Sequence, residues 1–350
     1  MWRVSPPDSY ARSPVTTSSS APGPPASGPA APLDVGALLE AATAGDRRAL
    51  ARLLSAAERG GPDGRAAAAL AYRHPTEADT VGITGAPGAG KSTLTDRLIA
   101  VARGAGVSQL AVLAVDPTSP FSGGAILGDR VRMQGHDLDP GVFIRSMASR
   151  GQLGGLSLAV PEAIRLFAAA GIPLVLVETV GVGQVEVDVA SATDTTVVVV
   201  NPKWGDSVQA NKAGLMETAD IFVVNKADMP GAAESRRDLE QMLDLSPPDR
   251  WRPPVVETVA TNGDGVEALW AEIGRHRAYL DEAGLLETSR RQRLRREFRL
   301  VLRTRIETEI DRLGGQPRFA RLDDDVVGHR LDPYQAAEEL LAHVGDDPAP

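Results

Sequence analysis

The sequence predicts an α/β fold in which a mainly parallel central sheet is flanked by helices. Three observations predict it. Short apolar runs recur between Thr80 and Ala260, they are continuous instead of alternating, and longer helix-compatible stretches separate them. Continuous apolar runs suit strands buried on both faces, and strands alternating with helices build parallel βαβ units. The runs are 80–85 (TVGITG), 110–116 (LAVLAVD), 142–145 (VFIR), 173–179 (PLVLVET), 195–201 (TTVVVVN), 220–225 (DIFVVN) and 255–260 (VVETVA). Asp116, Glu178, Asn201 and Asn225 stand at or near run ends. Ligands of such sheets bind at the carboxyl ends of the strands.

The flanking segments follow in order. Residues 1–32 are mostly Pro, Ala, Ser and Gly and read as a disordered tail. They lack the apolar segment of a secretory signal, and only Arg3 and Arg12 would speak for a transit peptide, against Asp8. Residues 33–78 open with a helix capped by Asp34, carrying Leu38, Leu39 and Ala42. Gly45-Asp46 breaks it, and a second helix with Leu50, Leu53 and Leu54 on one face runs to Gly60-Gly61. The α/β core occupies 79–283. In the last segment, 284–350, Ser289 and Gln292 predict a capping box. Leu294, Phe298, Val301, Leu302, Ile306, Ile310 and Leu313 then form one apolar stripe, stopped by Gly314-Gly315. A final helix is predicted from Asp332-Pro333.

Composition narrows the function classes. The 350-residue chain carries 37 Lys+Arg against 46 Asp+Glu, a formal charge of −9, which disfavours a general nucleic-acid binder. The absence of Cys excludes disulfides, thiolate metal sites, Fe–S clusters and a cysteine nucleophile. No apolar run approaches the roughly 18 residues of a membrane span. A soluble, cytoplasmic protein is expected.

The strongest motif is GAPGAGKST, residues 85–93: Gly85, Ala86, Pro87, Gly88, Ala89, Gly90, Lys91, Ser92 and Thr93. It matches G-x-x-x-x-G-K-[ST], follows a predicted strand and opens a predicted helix, which is the context a phosphate loop requires. Backbone N–H groups would surround the β-phosphate, Lys91 would reach the β- and γ-oxygens, and the Ser92 hydroxyl would face Mg²⁺. The helix directs its positive end at the same anion.

At the end of the 220–225 run stands Asn225-Lys226-Ala227-Asp228, an N-K-x-D motif. The Asp228 carboxylate can accept both N1–H and N2–H of guanine, a donor pair that adenine lacks. Asn225 can bond the N7/O6 edge, and Lys226 can lie along the base or brace the phosphate loop. With a phosphate loop upstream, the motif favours GTP over ATP. A backbone donor to guanine O6 is sought in Val259-Ala260-Thr261, after the last run.

Glu178-Thr179-Val180-Gly181 resembles the D-x-x-G of GTPases, with Glu for Asp. Glu178 would hold a Mg²⁺-bound water, and the Gly181 N–H would meet the γ-phosphate. Asp116 and Asp129 are further metal candidates, since Mg²⁺ takes oxygen ligands and needs few direct carboxylates. Val182 stands where many small GTPases place the Gln that orients the attacking water, with Gln184 two residues on. Slow intrinsic hydrolysis, accelerated by a partner or a switch movement, is expected.

Together GAPGAGKST, VDPTSPFSGGAILGDRVRM (115–133), ETVGVGQVEVDVA (178–190) and NKAD resemble the MeaB family, also labelled ArgK. These are G-protein chaperones of cobalamin-dependent acyl-CoA mutases, in the SIMIBI class of nucleotide hydrolases. The resemblance implies a GTPase that binds GTP or GDP with Mg²⁺, gates cobalamin delivery to the mutase and protects that enzyme. It assigns phosphate and Mg²⁺ roles to Lys91, Ser92, Asp116, Asp129 and Glu178. The family's third mobile loop falls at 202–217, where Asp206, Gln209 and Lys212 keep the pattern, and Lys212 becomes a candidate catalytic residue. Lys203-Trp204 and Ala210-Asn211 depart from the commoner form. The dimeric habit of the class, with the apolar stripe, implies a homodimer through a C-terminal helical arm. The alternative packs that stripe on the helices of 34–59.

Other readings weigh less. A metal-insertion GTPase needs His or Cys clusters, and this chain has no Cys and five scattered His. A transport-linked ATPase or kinase conflicts with N-K-x-D. A nucleotide-binding scaffold without turnover is separated by a hydrolysis assay. The cluster Arg290, Arg291, Arg293, Arg295, Arg296 reads as an RNA patch or as a solvated helix face with intrahelical pairs.

Overall fold

The computed structural model describes residues 32–74, 76–117, 134–136, 138–149, 158–179, 191–202, 218–245 and 251–342. Its seven described strands are β1 (Asp79–Gly85), β2 (Leu110–Pro117), β3 (Val142–Ser149), β4 (Leu174–Thr179), β5 (Thr195–Val200), β6 (Ile221–Asn225) and β7 (Val255–Thr258). They pair in the order β3-β2-β4-β1-β5-β6-β7, every neighbour parallel. Every run read as a strand is one. β4, β5 and β6 are buried along their whole length, which is why they read as continuous apolar runs. β3 runs on to Ser149, beyond its apolar part, because β2 supplies backbone partners as far as Pro117.

Register brings the polar strand ends to one edge. Ile83 lies opposite Glu178, Gly85 opposite Val199, and Asn225 opposite Thr258. β1 is therefore the central strand, with the carboxyl ends of β4, β5 and β6 around its own.

Helices cover both faces. On one lie α1 (Val35–Thr43), α2 (Arg47–Arg59), α3 (Gly61–Arg73) and α5 (Ala159–Ala169), with Leu53, Leu54 and Phe167 fully buried. Burying each such side chain contributes about 1.5–3 kcal/mol. Asp34 accepts from Ala37 N–H at 3.0 Å, and Asp46 accepts from Arg48 N–H at 2.8 Å, so both helices begin with a carboxylate cap. On the other face α4 (Lys91–Gly104) and α7 (Val266–Glu282) enclose Leu94, Leu98, Leu269 and Ile273. α6 (Ala232–Asp244) packs beside β5 and β6 through Leu239 and Leu243.

Three features differ from the sequence reading. The second helix ends as expected, with Gly60 its C-cap at φ 70°, but an unexpected helix, α3, follows at once, with Pro62 in its first turn, where its missing N–H costs nothing. The long helix, α8 (Leu285–Gly314), starts after Gly284, whose φ of 62° makes the turn. Ser289 thus lies within the helix, and the expected capping box with Gln292 does not form. A further helix, α9 (Pro317–Val327), precedes the expected last one, α10 (Pro333–Leu341), which Asp332 caps.

The apolar stripe of α8 does not fold back on α1 and α2. Phe298 remains 67% exposed, and Leu302, Ile306 and Ile310 are exposed with it, while Leu313 is buried. The helix is fixed instead at the amino end of the sheet. Arg290 donates to Asp194 Oδ2 at 2.8 Å and to the Ala78 carbonyl at 3.1 Å, and Arg293 donates to Asp194 and to the Ala192 carbonyl. Burial pushes the Asp194 carboxyl up, but the two guanidiniums outweigh it and hold the pKa at about 2. Two members of the arginine cluster are therefore neither an RNA patch nor a solvated face. Arg291 alone of these three makes the expected intrahelical pair, with Glu287.

Candidate active site

β1, the turn after it and α4 make the loop at residues 85–92. Gly85 has φ 133°, and a Cβ there would stand 2.0 Å from the Val199 carbonyl oxygen. Gly90 has φ 94°, and its Cβ would stand 2.3 Å from Asn225 Nδ2. Both positions demand glycine, one for close approach to β5, the other for close approach to the Asn225 amide. Between them Ala89 N–H closes a turn on the Ala86 carbonyl at 3.1 Å. The buried Lys91 ammonium donates to the carbonyls of Gly85 at 2.6 Å and Ala86 at 3.1 Å, so its charge sits against the strand side of the loop. Ser92 Oγ donates to Glu178 Oε1 at 2.5 Å. Glu178 is 1% exposed, and Thr93 is on the exposed side of α4.

The N-K-x-D residues meet the same loop. Asn225 is buried; its Nδ2 donates to the Ala89 carbonyl at 2.8 Å. Its Oδ1 accepts from Thr258 Oγ1 at 3.0 Å and Ala260 N–H at 3.1 Å. A primary amide has two N–H donors and two lone pairs, so these bonds leave one N–H for a base. Lys226 takes the bracing alternative: Nζ donates to the Gly88 carbonyl at 2.8 Å, from a residue held at φ 59°. Asp228 is exposed.

Of the three backbone donors sought after β7, two are already engaged: Val259 N–H with the Asp264 carbonyl at 3.0 Å, and Ala260 N–H with Asn225. Thr261 N–H is the remaining donor of that stretch. Arg97 of α4 grips the same segment from behind, donating to the Ala260 carbonyl at 3.2 Å and the Thr261 carbonyl at 2.8 Å. A trans peptide points its C=O and N–H opposite ways, so holding the Ala260 carbonyl directs Thr261 N–H away from Arg97. Neither Arg97 nor Thr258 was marked by sequence reasoning. Thr258 offered the weak signal of a hydroxyl beside the sought loop; Arg97 offered none.

The backbone of Asp116 lies next to the last residue of β2, opposite Ala148. The Asp116 side chain, Asp129, Gly181 and Lys212 lie outside the described residues, as do all but the last residue of the expected tail 1–32. The placed groups are a glycine-bounded loop, a lysine, a hydroxyl-carboxylate pair and the exposed Asp228 carboxylate. That set can hold a nucleoside polyphosphate with a divalent cation. Among the described residues, no helix is long and apolar enough to cross a membrane.

Comparison with known proteins agrees with this geometry. A family model described as methylmalonyl-CoA mutase-associated GTPase MeaB matches residues 50–312. A protein of Pyrococcus abyssi named as a GTPase is 48% identical over 312 residues, 88% of this chain and 96% of its own. The fused isobutyryl-CoA mutase of Cupriavidus metallidurans is 38% identical over 242 residues, 66% of this chain but 22% of that protein. The crystal structure of a LAO/AO transport system kinase superposes with TM-score 0.64 at 26% identity, over 89% of this chain and 97% of that one.

Proposed function

We propose that this chain, which belongs to the MeaB family of mutase-associated GTPases, works in the cytoplasm as the G-protein chaperone of a cobalamin-dependent acyl-CoA mutase. It hydrolyses GTP, gates cobalamin loading of the mutase and protects that enzyme. Residues 79–283 are the GTPase domain, 33–78 its helical support and 284–350 the arm of a homodimer. The observation that carries the reading is the relative in which a segment like this one is continuous with an isobutyryl-CoA mutase. Two proteins that act on each other are the kind that a single chain can combine.

In this reading the loop of Gly85, Ala86, Pro87, Gly88, Ala89 and Gly90 binds the phosphates, with Lys91 as their cation. Ser92 and Glu178 fit a hard divalent cation, since they bring a hydroxyl and a carboxylate, both oxygen ligands, together at the loop. Mg²⁺ would neutralise charge on the phosphate oxygens. Asp116, Asp129, Gly181 and the catalytic candidate Lys212 are assigned by the family resemblance. Asp228 selects guanine by accepting its two edge N–H groups. Asn225, Lys226 and Arg97 do not react; they hold the phosphate loop and the base-side loop in one frame, so that the triphosphate and base are fixed together.

The test is retention and turnover with purified methylmalonyl- and isobutyryl-CoA mutases. Nucleotide-dependent retention of one mutase, with faster GTP hydrolysis in its presence, supports the reading. Absence of retention by either mutase, with GDP and with a non-hydrolysable GTP analogue, overturns it.

A further inference from the structure

At the end of the sheet opposite the phosphate loop lies a cavity of about 630 Å³, walled by residues of the Tyr72–Thr80 stretch, by α5 and by α8. Cavities of roughly 300–1,000 Å³ are those that small organic ligands fill. Thr80 lines it, whereas Gly85 of the same strand opens the phosphate loop; the two sites stand roughly 17 Å apart along β1.

The walls are of two kinds. Ile164, Ala168, Leu294 and Leu300 make an apolar side. Arg165, Arg290, Arg293, Arg296, Arg299 and Arg303 face three acids, Glu77, Asp194 and Glu297. Each acid is already answered: Asp194 by Arg290 and Arg293, Glu77 by Arg290, and Glu297 by Arg165. Among the described residues, no carboxylate pairs with Arg296, Arg299 or Arg303. Six arginines less three acids leave three positive charges in one cleft of a chain whose formal charge is −9. Like charges at helical spacings of three and four repel, a cost that a bound anion removes. Guanidinium forks match phosphate oxygens two at a time.

We propose that this cleft is a second ligand site, taking a soluble organic phosphate that bears an apolar chain. The phosphates meet Arg296, Arg299 and Arg303, and the chain lies along Ile164, Ala168, Leu294 and Leu300. The acids on the floor do not oppose an anion, because their charge is neutralised within the wall. A cleft between three elements, in place of a flat face, favours a free molecule over a lipid headgroup in a bilayer.

The probe is hexanoyl-CoA, which joins three phosphates to a short apolar chain, titrated calorimetrically into the full chain saturated with GDP and Mg²⁺. Saturable binding of one probe per chain, undisturbed by further GDP, is expected. Inorganic pyrophosphate should bind about tenfold more weakly or worse. The Arg296→Ala/Arg299→Ala variant should raise the Kd by about tenfold or more, as loss of charge-assisted hydrogen bonds predicts. Its GTP hydrolysis and sedimentation coefficient should be unchanged. No saturable heat, displacement by GDP, or equal affinity in the variant overturns the proposal. So does binding to phosphatidic-acid vesicles with none to hexanoyl-CoA, which would mark a membrane contact. Dissociation of an oligomer by the arginine substitutions would mark a second copy as the occupant and overturn it equally.

Discussion

Ser92 Oγ and Glu178 Oε1 stand 2.5 Å apart, joining the first turn of α4 to the last residues of β4. The pair links the phosphate loop to the strand end from which the ETVGVGQVEVDVA run departs, and it gathers two hard oxygens at one point. Glu178→Gln should therefore shift the Mg²⁺ dependence of hydrolysis upward by about 10- to 100-fold, the usual cost of losing a group that orients a metal's ligands. A Mg²⁺ titration of GTPase activity checks this; an unchanged midpoint removes Glu178 from the metal assignment.

Lys91 and Lys226 both bond carbonyls of the phosphate loop, but at different residues, Gly85 and Gly88. Lys91→Ala should lower hydrolysis by about 100-fold or more, since a cation aimed at developing charge is lost. Lys226→Met keeps the stem and removes only the bond to Gly88, so KM for GTP should rise several-fold with kcat nearly unchanged. Steady-state kinetics separate the two, and a Lys226→Met enzyme altered only in kcat contradicts the bracing role.

The Asp194 latch should respond to acid. Its carboxyl is held at about 2, below the ordinary 3.8, so the stability it confers is complete above pH 4 and is lost as the pH falls towards 2. Asp194→Ala removes the carboxylate of Arg293 and leaves Arg290 only its more exposed partners Glu77 and Asp79, so it should cost about 3 kcal/mol at neutral pH. Thermal unfolding between pH 2 and 7 reads both effects. If wild type and variant keep the same difference in Tm across that range, the latch does not titrate as described.

The stripe Phe298, Leu302, Ile306 and Ile310 is exposed within one chain, on a helix of 30 residues, roughly 45 Å long. Burial in a homodimer removes that exposure. Sedimentation of the full chain should give a dimer at micromolar concentration, and Phe298→Glu/Ile306→Glu a folded monomer. A monomeric wild type with nucleotide present would remove the dimer.

Much of this was legible in the chain itself, for physical reasons. β4, β5 and β6 announce themselves because a strand buried on both faces has no polar alternation to hide it. The loop of Gly85 to Ser92 is legible because its backbone geometry admits few residues. α3 is hidden because Gly-Pro-Asp-Gly reads as a turn and its alanine run has no periodicity. The roles of Arg290 and Arg293 depend on Asp194, nearly one hundred residues away, and only the fold brings them together. Arg97 is silent for the same reason: its targets are two backbone carbonyls, which have no sequence signature.

In the proposed function this site turns over guanine nucleotide and Asp228 chooses the base. Two bonds to a charged acceptor contribute roughly 1.5–3 kcal/mol each, so their loss should cost tenfold or more apiece. The deciding measurement is hydrolysis of GTP, ATP and xanthosine triphosphate by wild type and Asp228→Asn, with kcat/KM for each. Wild type should prefer GTP strongly over ATP. Asp228→Asn should lose most of its kcat/KM for GTP and gain on xanthosine triphosphate, whose edge presents a carbonyl to the new amide. Equal kcat/KM for GTP in wild type and variant, or turnover of ATP as fast as of GTP by the wild type, would contradict guanine selection by Asp228.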